Sequence, residues 1–254
     1  MDVENKVVIV TGASSGVGSA AAIKLATMGA RVVVNYANND AGAQQCLDQI
    51  SLVGGEAIVF QADVSDDAQC KALVQAAIEQ FGQLDILINN AGTTTYVQHG
   101  ELDLLSDEIW QTTLGTNLMG PFYMSRAAVP EIAKQGGGEI VMTSSIASLT
   151  SNGSSMAYCA SKAALNSLTR TLAKAMGDKN IRVNAICPGL IDGKWASEGW
   201  GEQWEDVKTF ARGATPLGRI CTPEDIADSL ISIITGTDLM TGQITTVDAG
   251  FTIY

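Results

Sequence analysis

The sequence predicts a single α/β domain in which one doubly wound, parallel sheet of about seven strands carries helices on both faces. Three observations predict it. Short runs rich in Val, Ile and Leu alternate with longer, Ala-rich helical stretches. The runs are continuous rather than alternating in polarity, which is how strands buried on both faces read. The 254 residues are 46% hydrophobic and only 17% charged, enough to bury one large core.

Strands are expected at 6–11, 31–35, 57–61, 84–89, 139–143, 181–186 and 243–247. Helical patterns fill 19–28, 40–52, 66–81, 106–132, 156–176 and 223–234 between them. Repeated β-α-β units join by right-handed crossovers, which make the sheet parallel and cover both its faces. No internal repeat, low-complexity tract or linker interrupts residues 1–254, so one domain is expected. One segment breaks the rhythm. Residues 192–216 carry Trp195, Trp200 and Trp204 among glycines and acids. Long insertions in compact domains are often lids or binding loops, and a substrate lid is expected here.

Charge and cysteine usage exclude several classes. A net charge of -12 repels phosphate backbones and anionic lipid, so neither nucleic acid nor membrane is an expected partner. The acidic start, followed by the short apolar run 7–10, does not resemble a secretion signal. Cys46, Cys70, Cys159, Cys187 and Cys221 are scattered and form no CxxC pair, which suits free thiols in a reducing cytoplasm. With one histidine, His99, no metal site is expected.

The first strand runs straight into Thr11-Gly12-Ala13-Ser14-Ser15-Gly16-Val17-Gly18. Glycines let the backbone turn tightly and approach a ligand closely. The helix that follows offers free N–H groups and a positive dipole end to a pyrophosphate. A strand, a glycine turn and a helix in this order are what a Rossmann-like dinucleotide site requires.

The TGxxxGxG spacing of that turn resembles the short-chain dehydrogenase/reductase family, and further motifs follow in order. Asp63-Val64 after the third strand resembles the family's adenine-contacting pair. Asn89-Asn90-Ala91-Gly92 resembles its NNAG motif. Asn117 matches its helix asparagine, Ser144-Ser145 follows the fifth strand, and Tyr158-Cys159-Ala160-Ser161-Lys162 matches YxxxK. Pro188-Gly189, with Ile191 close behind, follows the sixth strand, where the family cradles the nicotinamide. Late in the chain, Val247-Asp248-Ala249-Gly250 has Ala where the family often has Gly. The resemblance covers nearly the whole chain. It implies cofactor contacts from Gly12, Ser14, Ser15, Gly16, Val17, Gly18, Asn35, Tyr36, Asp63, Val64, Asn90, Ala91, Gly92, Tyr158, Lys162, Pro188, Gly189 and Ile191.

Tyr158 and Lys162 are four apart, so both side chains leave one face of a helix. A free phenol has a pKa of about 10 and is a poor base at neutral pH. A nearby ammonium favours the phenolate, so Lys162 is expected to lower the Tyr158 pKa. Tyr158 then takes the hydroxyl proton during oxidation and returns it during reduction. Ser145, thirteen residues before Tyr158, can donate to the substrate oxygen; Ser144 is the competing choice. By resemblance, Lys162 also binds the nicotinamide ribose, and Asn117 holds the water that links it to solvent. Cys159 has no histidine base and reads as a packed residue.

Cofactor choice rests on the end of the second strand. A carboxylate there would bind the ribose hydroxyls of NAD, and an arginine the 2′-phosphate of NADP. The chain has Asn35-Tyr36-Ala37-Asn38-Asn39, with neither residue. Without an acid to repel the phosphate, the balance tips by a small margin to NADP(H) over NAD(H). Tyr96, Trp195 and Trp200 are candidate walls for a small alcohol or ketone, apolar or cyclic. Reduction of 3-oxoacyl groups on an acyl carrier protein is the alternative; net charge -12 and the stretch Ala133-Lys134-Gln135-Gly136-Gly137-Gly138-Glu139, where such reductases are often richly basic, speak against that acidic partner. A cofactor-sensing protein without turnover is the alternative from another class, but it would be expected to lose the tyrosine or lysine. The resemblance also implies a homotetramer.

Overall fold

The computed structural model describes residues 1–253. Its strands are β1 (Val7–Val10), β2 (Arg31–Tyr36), β3 (Glu56–Gln61), β4 (Ile86–Asn89), β5 (Gly138–Thr143), β6 (Ile181–Pro188) and β7 (Ile244–Val247). They form one seven-stranded sheet in the order β3-β2-β1-β4-β5-β6-β7. Every pairing is parallel. The predicted α/β class and doubly wound sheet are therefore correct. The order reverses between β1 and β4, and such a switch point opens a crevice at the carboxyl ends of the strands.

Strand pleating sorts the core. Val8 and Val10 point to one face, where helices α1 (Gly16–Thr27), α2 (Asp40–Leu52) and α10 (Pro223–Thr235) pack. Val7 and Ile9 point to the other, against α3 (Asp67–Phe81), α5 (Gly120–Lys134) and α7 (Met156–Met176). Each face buries its own apolar cluster, so the strands read as unbroken hydrophobic runs. Local chemistry starts the helices. Asp66 accepts from the Ala68 and Gln69 N–H groups at the head of α3. Thr222 and Asp225 exchange hydrogen bonds in a capping box at α10.

Three expectations need correction. The single helix predicted over 106–132 is broken into α4 (Asp107–Leu114), a π-helical turn at Gly115–Met119, and α5. Gly115 and Gly120 weaken the helix there, and Pro121 has no N–H to donate to the carbonyl four residues back. Asn117 sits in this turn, and π-turns of this sort frequently mark functional positions. A short helix, α6 (Ala147–Thr150), was not expected. Residues 192–216 are largely helical rather than a loop: α8 (Lys194–Trp200) is followed by a turn and α9 (Trp204–Ala214).

Candidate active site

The carboxyl ends of the strands and the α8–α9 segment enclose a cleft of about 1070 Å³. Its floor begins at the glycine turn. Gly12 has φ +63°, and a Cβ there would lie 2.8 Å from Ala91 Cα, so only glycine allows β1 and the loop after β4 to meet. Thr11 clamps that loop. Its hydroxyl accepts from the N–H groups of Asn90 (2.9 Å) and Ala91 (3.0 Å). Asn90 in turn donates to the Thr11 and Gly12 carbonyls. The first turn of α1 has no side-chain cap, which leaves its N–H groups facing the cleft without a protein acceptor of that kind.

Ser14, Ser15, Gly16, Val17, Asp63, Val64, Ala91 and Gly92 line the cleft along with Gly12 and Asn90. Pro188, Gly189 and Ile191 line it at the end of β6. Asn35 lines the cleft as well, Tyr36 does not, and both side chains are engaged by the protein. Asn35 is buried, accepts from the Gly12 N–H and donates to the carbonyls of Phe60 and Ala62. Its amide thus fixes the shape of the glycine turn. Tyr36 is also buried, and its hydroxyl donates to Asp40 at 2.6 Å. Gly18 lies at the turn but does not line the cleft; a Cβ there would meet Asn90 Nδ2 at 2.7 Å.

Helix α7 places the central pair. Ser155 caps it by accepting from the Tyr158 N–H, which sets the tyrosine in the first turn with Lys162 one turn further on. Lys162 is only 3% exposed, and its Nζ donates to the Thr143 carbonyl at 2.7 Å. That Nζ lies 5.7 Å from the centre of the Tyr158 ring. The two serines separate by role. Ser144 donates to the Lys162 backbone carbonyl, whereas Ser145 stands beside the Tyr158 phenol. Asn117 is fully buried. It accepts from the Thr93 N–H and donates to the Thr93 carbonyl and the Ser161 hydroxyl, bracing the cleft wall against α7.

The electrostatics reverse one expectation. Burial pushes the Tyr158 phenol up to about 12, with the Ser145 hydroxyl working against it. Loss of solvent penalises the phenolate and sets the direction. The same burial brings Lys162 down to about 8. At neutral pH the tyrosine is therefore a proton donor.

The predicted aromatic wall divides in two. Trp195 meets Tyr158 edge-on with ring centres 6.4 Å apart, and Trp200 meets Tyr96 edge-on at 5.6 Å. All four rings line the cleft. Trp204 instead packs with Ala211 and Ile220 in a small cluster beneath the segment. His99 lies 3.1 Å from the Gly153 carbonyl and holds a loop. Cys159 is buried, as a packing role requires. Sequence reading missed Asn152, Ser154, Val207 and Phe210, which also line the cleft. The amphipathic spacing of Val207, Phe210 and Ala211 was a readable helix signal, hidden by treating the segment as a loop.

Size and chemistry both suit a dinucleotide: an uncapped helix start and a glycine turn at one end, a polar triad at the other. Among the described residues, no cluster of three or more potential metal ligands occurs. Nor is any helix there long and apolar enough to cross a membrane.

Comparison with known proteins places this geometry in context. Residues 12–252 match the family model described as enoyl-(acyl carrier protein) reductase. A protein named as ketoacyl reductase 2 of the granaticin polyketide synthase, from Streptomyces violaceoruber, is 37% identical over 97% of this chain and 96% of its own. An L-rhamnose 1-dehydrogenase (NAD(P)(+)) from a Sphingomonas strain is 36% identical, again over 97% and 96% of the two chains. A crystal structure described as a short-chain alcohol dehydrogenase from Sinorhizobium meliloti superposes with a TM-score of 0.91 at 33% identity, covering 98% of this chain and 97% of that one. The relatives are oxidoreductases that span the same length, and this chain belongs to the short-chain dehydrogenase/reductase family of NAD(P)-dependent enzymes.

Proposed function

We propose that the protein interconverts a secondary alcohol and a ketone on a small, apolar or cyclic molecule, with NAD(P)(H) as the redox partner. The observation that carries this reading is the partly buried Tyr158 phenol, flanked by Ser145 and Lys162 in the same cleft as the glycine turn. The nicotinamide cofactor supplies or accepts the hydride when bound. Ser145 donates a hydrogen bond to the substrate oxygen and favours the charge that develops there. In reduction, the Tyr158 O–H delivers its proton to that oxygen; in oxidation it takes the proton back. Lys162 holds positive charge beside the phenol and hydrogen-bonds the nicotinamide ribose. The glycine turn and the first turn of α1 hold the pyrophosphate, Asp63 and Val64 border the adenine, and Pro188, Gly189 and Ile191 border the nicotinamide. Asn117 steadies the proton path by holding Thr93 and Ser161 in place.

NADP(H) is the favoured cofactor by a small margin. Ala37, Asn38 and Asn39 line the cleft after β2 and put no acid there, whereas Asp63 borders the adenine after β3; Lys162 and Lys194, the cations that line the cleft, belong to its other end. Residues 192–216 serve as the substrate lid, with Tyr96, Trp195 and Trp200 forming an apolar wall. Five buried free thiols suit a reducing cytoplasm, and the assembled form is a homotetramer.

The test follows nicotinamide absorbance with NADPH or NADH and a panel of small cyclic ketones, an acetoacetyl thioester, and L-rhamnose in the oxidative direction. The account expects ketone reduction, with a modest NADPH preference. Activity on the thioester alone, or on rhamnose alone, would overturn the substrate assignment. A clear NADH preference would overturn the cofactor assignment.

A further inference from the structure

We propose that Gly199 and Tyr96 together form a latch that sets the size limit of the substrate pocket. The inference deepens the alcohol–ketone reading of the cleft and rests on it. Gly199 lies within α8, where glycine is a poor helix former. It is not among the glycines with positive φ, so backbone freedom does not account for it. Space does. A Cβ at Gly199 would overlap Cε2 and Cζ of Tyr96 and lie 2.6 Å from its hydroxyl oxygen. The bare backbone of the lid helix is the surface on which the Tyr96 ring rests.

The loop that carries Tyr96 is held in place, so its ring can leave Gly199 only by turning about its own side-chain torsions. The Val97 N–H donates to the Ser154 carbonyl at 2.8 Å, and the Thr94 and Ser154 hydroxyls are 2.6 Å apart. The His99 ring adds its contact to Gly153. These bonds staple the loop that carries Tyr96 to the loop that leads into α7. Trp200 closes on the other side of the ring. One turn before Gly199, Trp195 reaches across the reacting centre. Its Cη2 comes within 3.5 Å of the place a Cβ would occupy at Gly92. The latch therefore fixes how low Trp195 and Tyr96 sit over Tyr158. A compact ring fits beneath them, and a ring with bulky substituents meets Tyr96. The overlap is with ring carbons of Tyr96, so the contact works through ring shape.

The test compares cyclohexanone with menthone, the same ring bearing bulky groups, at saturating NADPH. Tyr96→Ala is expected to raise the menthone-to-cyclohexanone ratio of kcat/KM by about 10–100-fold, the range set by a pocket-wall contact. Gly199→Ala should raise it as well, because the new methyl expels the Tyr96 ring or lifts α8. The double variant should match Tyr96→Ala alone, since the three atoms nearest the new methyl all belong to Tyr96. Tyr96→Phe keeps the ring and should keep the parental menthone-to-cyclohexanone ratio. An unchanged ratio in either single variant, or additive effects in the double, overturns the latch.

Limited proteolysis of the cofactor-free protein gives a reading that needs no turnover. Gly199→Ala should be cut faster within 192–216 than the parent, although alanine is the better helix former. Cutting at the parental rate overturns the latch. If the parent reduces no ketone at all, the functional reading fails, while proteolysis still decides the latch.

Discussion

At the N-terminal ends of β5 and β6, Glu139 and Arg182 are both buried and lie 2.7 Å apart. At the opposite end of these strands Lys162 is just as buried, yet among the described residues it faces no carboxylate, only the Thr143 carbonyl. At the first end the pair has polar partners, although the exposed Asp238 carboxylate acts against Glu139. Asn184 donates to Glu139, and Arg182 also reaches the carbonyls of Ile234 and Met240. Lys6 and Asp85 repeat the pattern nearby, where Asp85 also accepts from the Val7 N–H and the Gln83 amide. At the cleft end the ammonium is buried without such a counter-charge, and the partly buried Tyr158 phenol has only the Ser145 hydroxyl beside it among the described residues. The contrast separates charge placed for the fold from charge held ready for a ligand, and it predicts opposite signs for similar substitutions.

The largest effect is expected from Lys162→Met. Turnover should fall about 10²–10⁴-fold, the usual scale for a positioned acid–base group and its support. The same variant should be more stable than the parent, by about 1–3 kcal/mol, because an apolar side chain relieves the burial of an ammonium without a counter-charge. A less stable Lys162→Met would break the comparison. Its mirror image is Arg182→Met. That change strands Glu139 and should cost about 3–5 kcal/mol while leaving kcat near the parental value. Denaturant titration and steady-state kinetics on both variants read all four quantities.

A smaller effect sharpens the account through pH. Burial raises Glu139 to about 7, with Asn184 and Arg182 opposing. Its folded pKa exceeds the unfolded one, so the folded state binds the extra proton. The stability it contributes is complete below the unfolded carboxylate range and is lost as pH rises through about 7. Glu139→Gln should flatten stability across that window. Lys162 has the other sign: its folded pKa, about 8, lies below the unfolded value, so the cost of burying it is full below pH 8 and fades at higher pH. Smallest of all is the kinetic trace of that titration. The kcat/KM for NADPH should decline above pH about 8 as Lys162 loses its proton, and no decline up to pH 10 would contradict the assignment.

What could be read in the chain follows the range of the interactions. The glycine turn and the Tyr158–Lys162 spacing are local, encoded within one turn of backbone, and both are legible. So is the sheet, because each strand is buried on two faces. The break at Gly115–Met119 was also present as Gly115 and Gly120-Pro121, but the apolar pattern running through it suggested one helix. Long-range packing was not legible. Spacing favours Ser145 over Ser144, but the contact that turns Ser144 away, to the Lys162 carbonyl, is not written in the spacing. The division of labour among Trp195, Trp200 and Trp204 depends on how α8 and α9 fold back. The direction of the Tyr158 pKa was not legible for the same reason: the burial that raises it comes from the whole fold around the phenol.

The most direct test of the central claim is Tyr158→Phe, measured for ketone reduction and for NADPH binding on the same preparation. One hydroxyl is lost and the ring that packs against Trp195 is kept. The account predicts that kcat falls by about 10²–10⁴-fold, while the Kd for NADPH stays within about twofold of the parent, since the change touches the reacting oxygen and spares the phosphate bed. Turnover within about tenfold of the parent would mean that Tyr158 is not the proton donor, and the account would fail.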